Sequence, residues 1–397
     1  MLDIDFTKFF SAWGKAPLRI NPYYCLPLRS PKSRCRLCIE NCPTKAIEIK
    51  EDSVKVIDNQ CTGCAICANL CPTGVFEMAN FDSHAFLEKA QTHIVRGGAV
   101  EKRSTTKIEC YKVPFDYSTA SSLRLPCLAH ITPSLILSIL SLGANEIVIR
   151  DAGICVVCES KCGDKIAKDA VSKTQEFLKQ LGFEQKVFAV TEDVFINNLI
   201  FEGERLKDYK DELELTRRQV FSAFKKEAVK GVSNLIEGNT IKIAKGKEGL
   251  KKSVPKEREK LLKMLAASIS ASAKAQCKIQ INSHIFPTVT INTGCDICQL
   301  CSLFCPTDAL VIEDTEKGRG ITFKVASCTG CSICVDVCAK KVLSLETKET
   351  ALLDIIEQKV TSVAWFDKSF CVDCGRSFVK TSVNDICDTC LKEKDIF

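Results

Sequence analysis

Several familiar fingerprints are missing from this chain of 397 residues. It has no Gly-x-Gly-x-x-Gly and no Gly-x4-Gly-Lys-Ser/Thr, so neither a dinucleotide cradle nor a phosphate loop is expected. His84, His93, His130 and His284 are scattered, and the Cys-x3-Cys-x2-Cys run of radical SAM enzymes is absent, so no catalytic constellation is defined. No stretch approaches 18 uncharged apolar residues, which argues against a membrane span. MLDIDFTKFFSAWGK has no basic segment followed by an apolar one, so a secretory signal is not expected and a reducing, cytoplasmic setting is.

What the chain does have is 26 cysteines, in a sequence 46% hydrophobic and 26% charged and long enough to need no disulfide staples. Eight lie between Cys25 and Cys71, five between Cys110 and Cys162, eight between Cys295 and Cys338 and four between Cys371 and Cys390, with Cys277 alone. In a reducing compartment, cysteines at such spacing read as metal ligands. The first and third blocks are an internal repeat. Each has a cysteine run ending in Cys-Pro-Thr, a strand-turn-strand pattern, and a second run opening Cys-Thr-Gly-Cys. The expected hairpins are AIEI and VKVID around Glu51-Asp52-Ser53, and ALVIE and ITFKV around a turn at Lys317-Gly318-Arg319-Gly320.

Between the repeats, residues 103–200 alternate strand-like runs (KIECYKV, LRLPCL, EIVIRD, KVFAV) with two helical runs that each close on Gly, which predicts a small α/β layer with a largely parallel sheet. Residues 201–276 carry helical patterns, with Val220, Phe224 and Ala228 at four-residue spacing, then Leu261 and Leu265. From Arg217 to Lys263 there are 14 Lys and Arg against five Glu, a net +9 that exceeds the whole-chain +6. After Cys338 a strand (VLSLE), a helix (ETALLDIIEQKV) and a cysteine-rich tail are expected.

Cys295-x2-Cys298-x2-Cys301-x3-Cys305-Pro306, followed by Cys328-x2-Cys331-x2-Cys334-x3-Cys338, resembles the bacterial two-cluster ferredoxins. The resemblance implies one [4Fe–4S] cluster on Cys295, Cys298, Cys301 and Cys338 and another on Cys328, Cys331, Cys334 and Cys305. Ala339 stands where that family has Pro, which puts the wrapping of the chain past Cys338 in question. At the N-terminus Cys61-x2-Cys64-x2-Cys67-x3-Cys71-Pro72 is complete, whereas Cys35-x2-Cys38-x3-Cys42-Pro43 has Lys32 at its first position. The implied sets are Cys61, Cys64, Cys67 and Cys42, and Cys35, Cys38 and Cys71 with Cys25 as the replacement ligand. The alternative is a free Cys25 and a [3Fe–4S] cluster.

The five central cysteines are Cys110, Cys127, Cys155, Cys158 and Cys162, expected along one edge of the parallel sheet. Their order along strands and helices loosely resembles the small iron–sulfur subunit that links hydrogenases to heterodisulfide reductases. Two readings stay open there: a fifth Fe–S cluster, or a reactive thiol pair or zinc. The tail, Cys371-x2-Cys374-x12-Cys387-x2-Cys390, suits a zinc ribbon, with rubredoxin-type iron as the alternative. Cys277 has no partner spacing.

The expected architecture is therefore α+β and multidomain: two-cluster ferredoxin modules at 1–82 and 277–347, flanking an α/β domain at 103–200 and a basic helical linker at 201–276, with a zinc-ribbon-like tail at 363–397. The expected function is a cytoplasmic polyferredoxin, more an electron carrier than an independent catalyst, relaying single electrons to or from a formate dehydrogenase, a hydrogenase or a heterodisulfide-reductase-type enzyme. Two alternatives are a thiol/disulfide-active oxidoreductase centred on the five cysteines and a nucleic-acid-associated Fe–S/zinc protein. The basic stretch lacks interleaved aromatics after Phe224, so no nucleic acid is expected; it reads instead as a solvated helical face, a dock for an acidic partner, or a counter-charge for the clusters. Loaded with four cubanes and a tail zinc at −2 each, the chain carries about −4 rather than +6.

Overall fold

The computed structural model describes residues 16–97, 105–118, 121–181, 186–191, 240–242, 250–268, 278–280, 285–346, 348–381 and 384–394. Cys277, His284 and the Val220, Phe224 and Ala228 pattern lie outside the described residues.

The repeat in the sequence is a repeat in space. At the N-terminus β1 (Leu18–Ile20) pairs antiparallel with β4 (Phe76–Met78), and between them β2 (Ile47–Lys50) and β3 (Ser53–Val56) form the expected hairpin. Val54 and Val56 face inward with Ile47 and Phe76, as strict alternation requires of a half-buried strand.

The central layer follows. Strands β5 (Thr105–Cys110), β6 (Leu123–Leu125), β7 (Glu146–Asp151) and β8 (Lys186–Thr191) form an all-parallel sheet in the order β6-β5-β7-β8. Two helices, Pro133–Ser141 and Gly163–Gln180, supply the crossovers. The first starts at Thr132, whose hydroxyl accepts from the Leu135 N–H as an N-cap, and Pro133 occupies the position where a missing N–H costs nothing. Within the sheet Glu109 and Arg150 form a buried ion pair at 2.7 Å.

The 201–276 segment departs from its helical reading at Thr240–Lys242 and from a linker's behaviour at Lys256–Ser268. β9 (Thr240–Lys242) is a strand that pairs antiparallel with β3, because the edge of a two-stranded hairpin leaves backbone groups that a further strand satisfies. The helix Lys256–Ser268 is present, but Leu261 and Leu265 are buried in the core that joins the α/β layer to the C-terminal unit. Phe177 and Phe286 meet there with ring centroids 5.9 Å apart.

In the C-terminal unit β10 (Lys278–Gln280) pairs with β15 (Glu349–Ala351), β11 (Thr288–Ile291) with β14 (Leu343–Glu346), and β12 (Leu310–Asp314) with β13 (Gly318–Lys324). Two expectations are corrected. ETALLDIIEQKV is helical only over Leu352–Ile356, since Glu349–Ala351 joins β10 and Val360 opens β16 (Val360–Phe370). Long alternating β16 adds to β13, and β17 (Ser377–Val379) adds to β16, so the tail is built onto the second hairpin.

The second correction concerns Gly318 and Gly320, which lie inside β13 rather than in the turn. The turn is closed by Thr315, whose N–H and hydroxyl both bond to the Gly318 carbonyl. Gly320 stands opposite Trp365, and a Cβ there would lie 2.5 Å from the indole and 2.8 Å from the Ala364 carbonyl. The indole covers the glycines as an aromatic does on a sheet. Gly320→Ala is therefore expected to cost about 1–3 kcal/mol, read as a fall in the denaturation midpoint of the C-terminal unit.

Candidate metal centres

The complete cysteine runs fold into one backbone shape. In each, the residue before the second cysteine and the residue after it have positive φ: Gly63 and Ala65, Ile297 and Gln299, Gly330 and Ser332, all between 50° and 70°. Alternating turns of this kind make a nest of N–H groups facing an anion. The Ile297 N–H reaches Cys295 Sγ at 3.4 Å, which shows the direction in which that nest points. All four runs, the irregular one included, then close with a positive-φ residue three positions after the last cysteine, at Lys45, Gly74, Asp308 and Lys341. Lys341 answers the question raised by Ala339: the chain wraps past Cys338 as it wraps past the Cys-Pro pairs, so proline is not needed for the turn.

The irregular run differs in backbone as in sequence. Arg36 has φ −137°, so the nest is incomplete around Cys35 and Cys38. Cys25 compensates in space. It is buried at the start of the helical turn Leu26–Arg29, in one apolar cluster with Cys38 and packed beside Cys71. Burial pushes the Cys25 and Cys38 thiols up to about 12, and each is raised further by the proximity of Cys71 and Cys35. A thiol is raised in this way when like groups converge in an apolar site, and a bound cation reverses it.

Cys42, Cys61, Cys64 and Cys67, the four residues of one implied set, line one open pocket, with Ile47 and Ile66 on its apolar walls. At the Cys328 loop, Thr329 Oγ1 and Arg29 Nη2 are buried without a hydrogen-bond partner. An apolar space bounded by sulfurs and an orphaned donor beside another sulfur set both fit a cluster that supplies sulfide acceptors.

The central cysteines gather where the parallel strands end. Cys110 closes β5, Cys127 follows β6 and Cys155 follows β7. Gly163 opens the next helix, and a Cβ there would lie 3.0 Å from Cys127 Sγ and 3.5 Å from Cys155 Sγ, so the glycine makes room for two sulfurs. Lys112 Nζ stands 3.3 Å from Cys158 Sγ. Burial pushes Cys110 up to about 11 and Cys127 well above its ordinary value. Cys155 is raised by burial and then by Asp151, which with Asp164 places two carboxylates within 4.8 Å of its sulfur. Cys162 packs with Cys64 around Ile66, Cys127 and Ala129. His130, whose imidazole burial pushes down to about 4, lies edge-on to Phe81 behind Cys127.

In the tail the four sulfurs of Cys371, Cys374, Cys387 and Cys390 lie within 4.8 Å of one another, with Cys374 and Cys387 at 3.7 Å. A single ion at about 2.3 Å from four thiolates sets tetrahedron edges of about 3.8 Å. The spacing is therefore that of a one-ion site. The Cys387 N–H to Cys371 Sγ bond at 3.3 Å leads the interactions that bring Cys371 down to about 6, while its neighbours drive Cys390 up. Sequence reasoning missed Arg29, Arg258, Lys112, Asp151, Asp164 and Gly163; only the glycine closing the distance after Cys162 gave a local signal.

Comparison with known proteins bears on two of these regions. Residues 33–75 match the family model of a 4Fe–4S dicluster domain, and residues 112–199 match that of the delta subunit of methyl-viologen-reducing hydrogenase. The first match starts beyond Cys25 and the second beyond Cys110. An uncharacterized ferredoxin of Methanocaldococcus jannaschii is 38% identical over 47 residues, covering 12% of this chain and 76% of that one. An iron–sulfur protein of Rhodospirillum rubrum is 24% identical over 127 residues, covering 32% of this chain and 60% of that one. No helix among the described residues is long and apolar enough to cross a membrane.

Proposed function

This chain belongs to the ferredoxin-type iron–sulfur proteins, which bind [4Fe–4S] clusters and transfer electrons, and from that premise we propose that it is a one-chain relay of four cubanes leading into the central cysteine site. The order of the relay is supported by which cysteines adjoin across each joint. Within the C-terminal unit Cys334 is raised by burial and then by sulfurs that include Cys301 of the other implied set. Between the two modules, Cys331 and Cys35 pack on one apolar knot of Leu26, Ile333 and Val337. Arg34 bonds Asp336 at 2.8 Å beside it. Within the N-terminal module Cys67 stands near Cys38 in the same cluster.

The last joint is the observation that carries the proposal. Cys64 packs with Cys127 and Cys162 across the boundary to the α/β layer, and that boundary is pinned by hydrogen bonds. Asn69 Nδ2 donates to the Ala129 and Ile131 carbonyls at 2.9 and 2.8 Å, and Thr62 and Ser160 share a hydroxyl contact at 3.0 Å. The ligand sets are those named above: Cys295, Cys298, Cys301 and Cys338; Cys305, Cys328, Cys331 and Cys334; Cys25, Cys35, Cys38 and Cys71; Cys42, Cys61, Cys64 and Cys67. The central site holds a fifth cluster on this reading, drawn from Cys110, Cys127, Cys155, Cys158 and Cys162, and the tail holds zinc.

The central layer is then where a redox enzyme of hydrogenase type exchanges electrons, an inference from the delta-subunit match; formate dehydrogenase gains no support of its own. The raised Cys110, Cys127 and Cys155 thiols weigh against a reactive pair formed among those three, because the thiolate is the nucleophile. The Cys61→Ala/Cys64→Ala chain should lose about four irons. When reduced from the C-terminal end in rapid-freeze EPR, it should no longer reduce the central site. Undiminished reduction of that site would overturn the order.

A further inference from the structure

Three arginines are buried among the described residues, Arg29, Arg150 and Arg258. Arg150 has a carboxylate, Glu109. Arg29 and Arg258 have none at ion-pair distance among the described residues, and both adjoin the same cysteine set. Arg258 donates from its three guanidinium nitrogens to the carbonyls of Ala326, Ile285, Val325 and Cys328 and lies over the Phe286 ring, 4.1 Å from its centroid. Arg29 donates to the carbonyls of Phe304, Tyr23 and Lys251 and leaves Nη2 unpartnered; Phe304 directly precedes Cys305, and Cys305 and Cys331 are the sulfurs that act on its charge.

A guanidinium held only by carbonyl dipoles in a buried site is costly unless a negative group stands near. Asp308 faces this region but is held by Lys252 at 2.7 Å. Four thiolates around a 2+ iron–sulfur core supply a net −2 at that place, and Arg29 Nη2 then has sulfur to bond. The two guanidiniums come from different elements, one from the helical turn Leu26–Arg29 of the first module and one from the helix Lys256–Ser268. No other implied cysteine set among the described residues adjoins two buried arginines.

We propose that Arg29 and Arg258 are a charge clamp that makes the Cys305, Cys328, Cys331 and Cys334 centre the most easily reduced of the four, so that an electron entering the relay rests at the joint between the modules. The step is one electron passed from a neighbouring cluster of the same chain. It takes the core from 2+ to 1+ and the centre from −2 to −3, with no proton moved and no bond broken. Fixed positive charge from two adjoining guanidiniums favours the −3 state. The proposal rests on the four-cluster reading.

The test is an anaerobic EPR-monitored redox titration of the full chain, with iron and sulfide counted on the same samples. Arg258→Met and Arg29→Met should each shift one of the four one-electron steps at least tenfold toward the oxidised form, a fall of 59 mV, and leave the other three in place. Arg258→Lys and Arg29→Lys should hold that step near its original potential. Cys305→Ser should alter the spectrum of the step that moves. Loss of only this cluster in Arg258→Met, with retention in Arg258→Lys, also supports the clamp. Unmoved steps in both Met variants, or equal loss in Met and Lys variants, would overturn it. Fewer than four clusters in the unmodified chain would instead overturn the four-cluster reading.

Discussion

Stripping the tail ion with a chelator is expected to unfold residues 371–390 while leaving the rest of the second hairpin intact. Isolated structural zinc sites draw about 10–16 kcal/mol of folding free energy from the metal. This tail has little else to replace it, because β17 contributes three residue pairs to β16, and Cys371 and Cys387 are the buried cysteines of the site. Without the ion, four sulfurs within 4.8 Å cannot all remain thiolates. Amide hydrogen exchange should rise over Cys371–Cys390, whereas β13 and β16 retain protection through their seven-residue register. Elemental analysis of the released ion separates zinc from rubredoxin-type iron. Unchanged exchange after measured removal of the ion would mean that packing rather than metal holds the tail.

Arg150→Met is expected to destabilise the α/β layer by about 3–5 kcal/mol, because it leaves the Glu109 carboxylate buried without its cation. Glu109 is fully enclosed and also accepts from Ser118 Oγ at 2.6 Å, while Arg150 donates to the Tyr117 carbonyl at 2.7 Å. This network ties the loop after Cys110 to the sheet that presents the central cysteines. A double variant, Arg150→Met with Glu109→Leu, should regain most of the loss, since the cost lies in the orphaned charge rather than in the absent attraction. Denaturation followed by tryptophan-independent far-UV signal, with iron content recorded, reads both. A single variant as stable as the parent would show that water reaches Glu109.

The hairpins at Ile47–Val56 and Leu310–Lys324 were legible because alternation of β-branched residues encodes one buried face. The parallel layer was legible for a related reason: short apolar runs and Gly-closed helical runs alternate at the spacing a crossover needs. What misled was local composition. Glycine at 318 and 320 reads as a turn in the sequence, yet its cause is an indole 45 residues later in the chain. The helical pattern around Leu352 was truncated because its flanks found strand partners in β10 and β13.

The sequence by itself determined which sulfurs belong to one loop, since Cys-x2-Cys-x2-Cys fixes a nest through short-range backbone geometry that no distant residue can alter. It also determined the one-ion pattern of the tail. Only the tertiary structure decided which loops are neighbours, with Cys331 against Cys35 and Cys64 against Cys162, and which charges enter them. Arg29 and Arg258 sit in segments that look like ordinary basic surface, because a charge acts through space by distance and burial, and neither quantity is written in the order of residues.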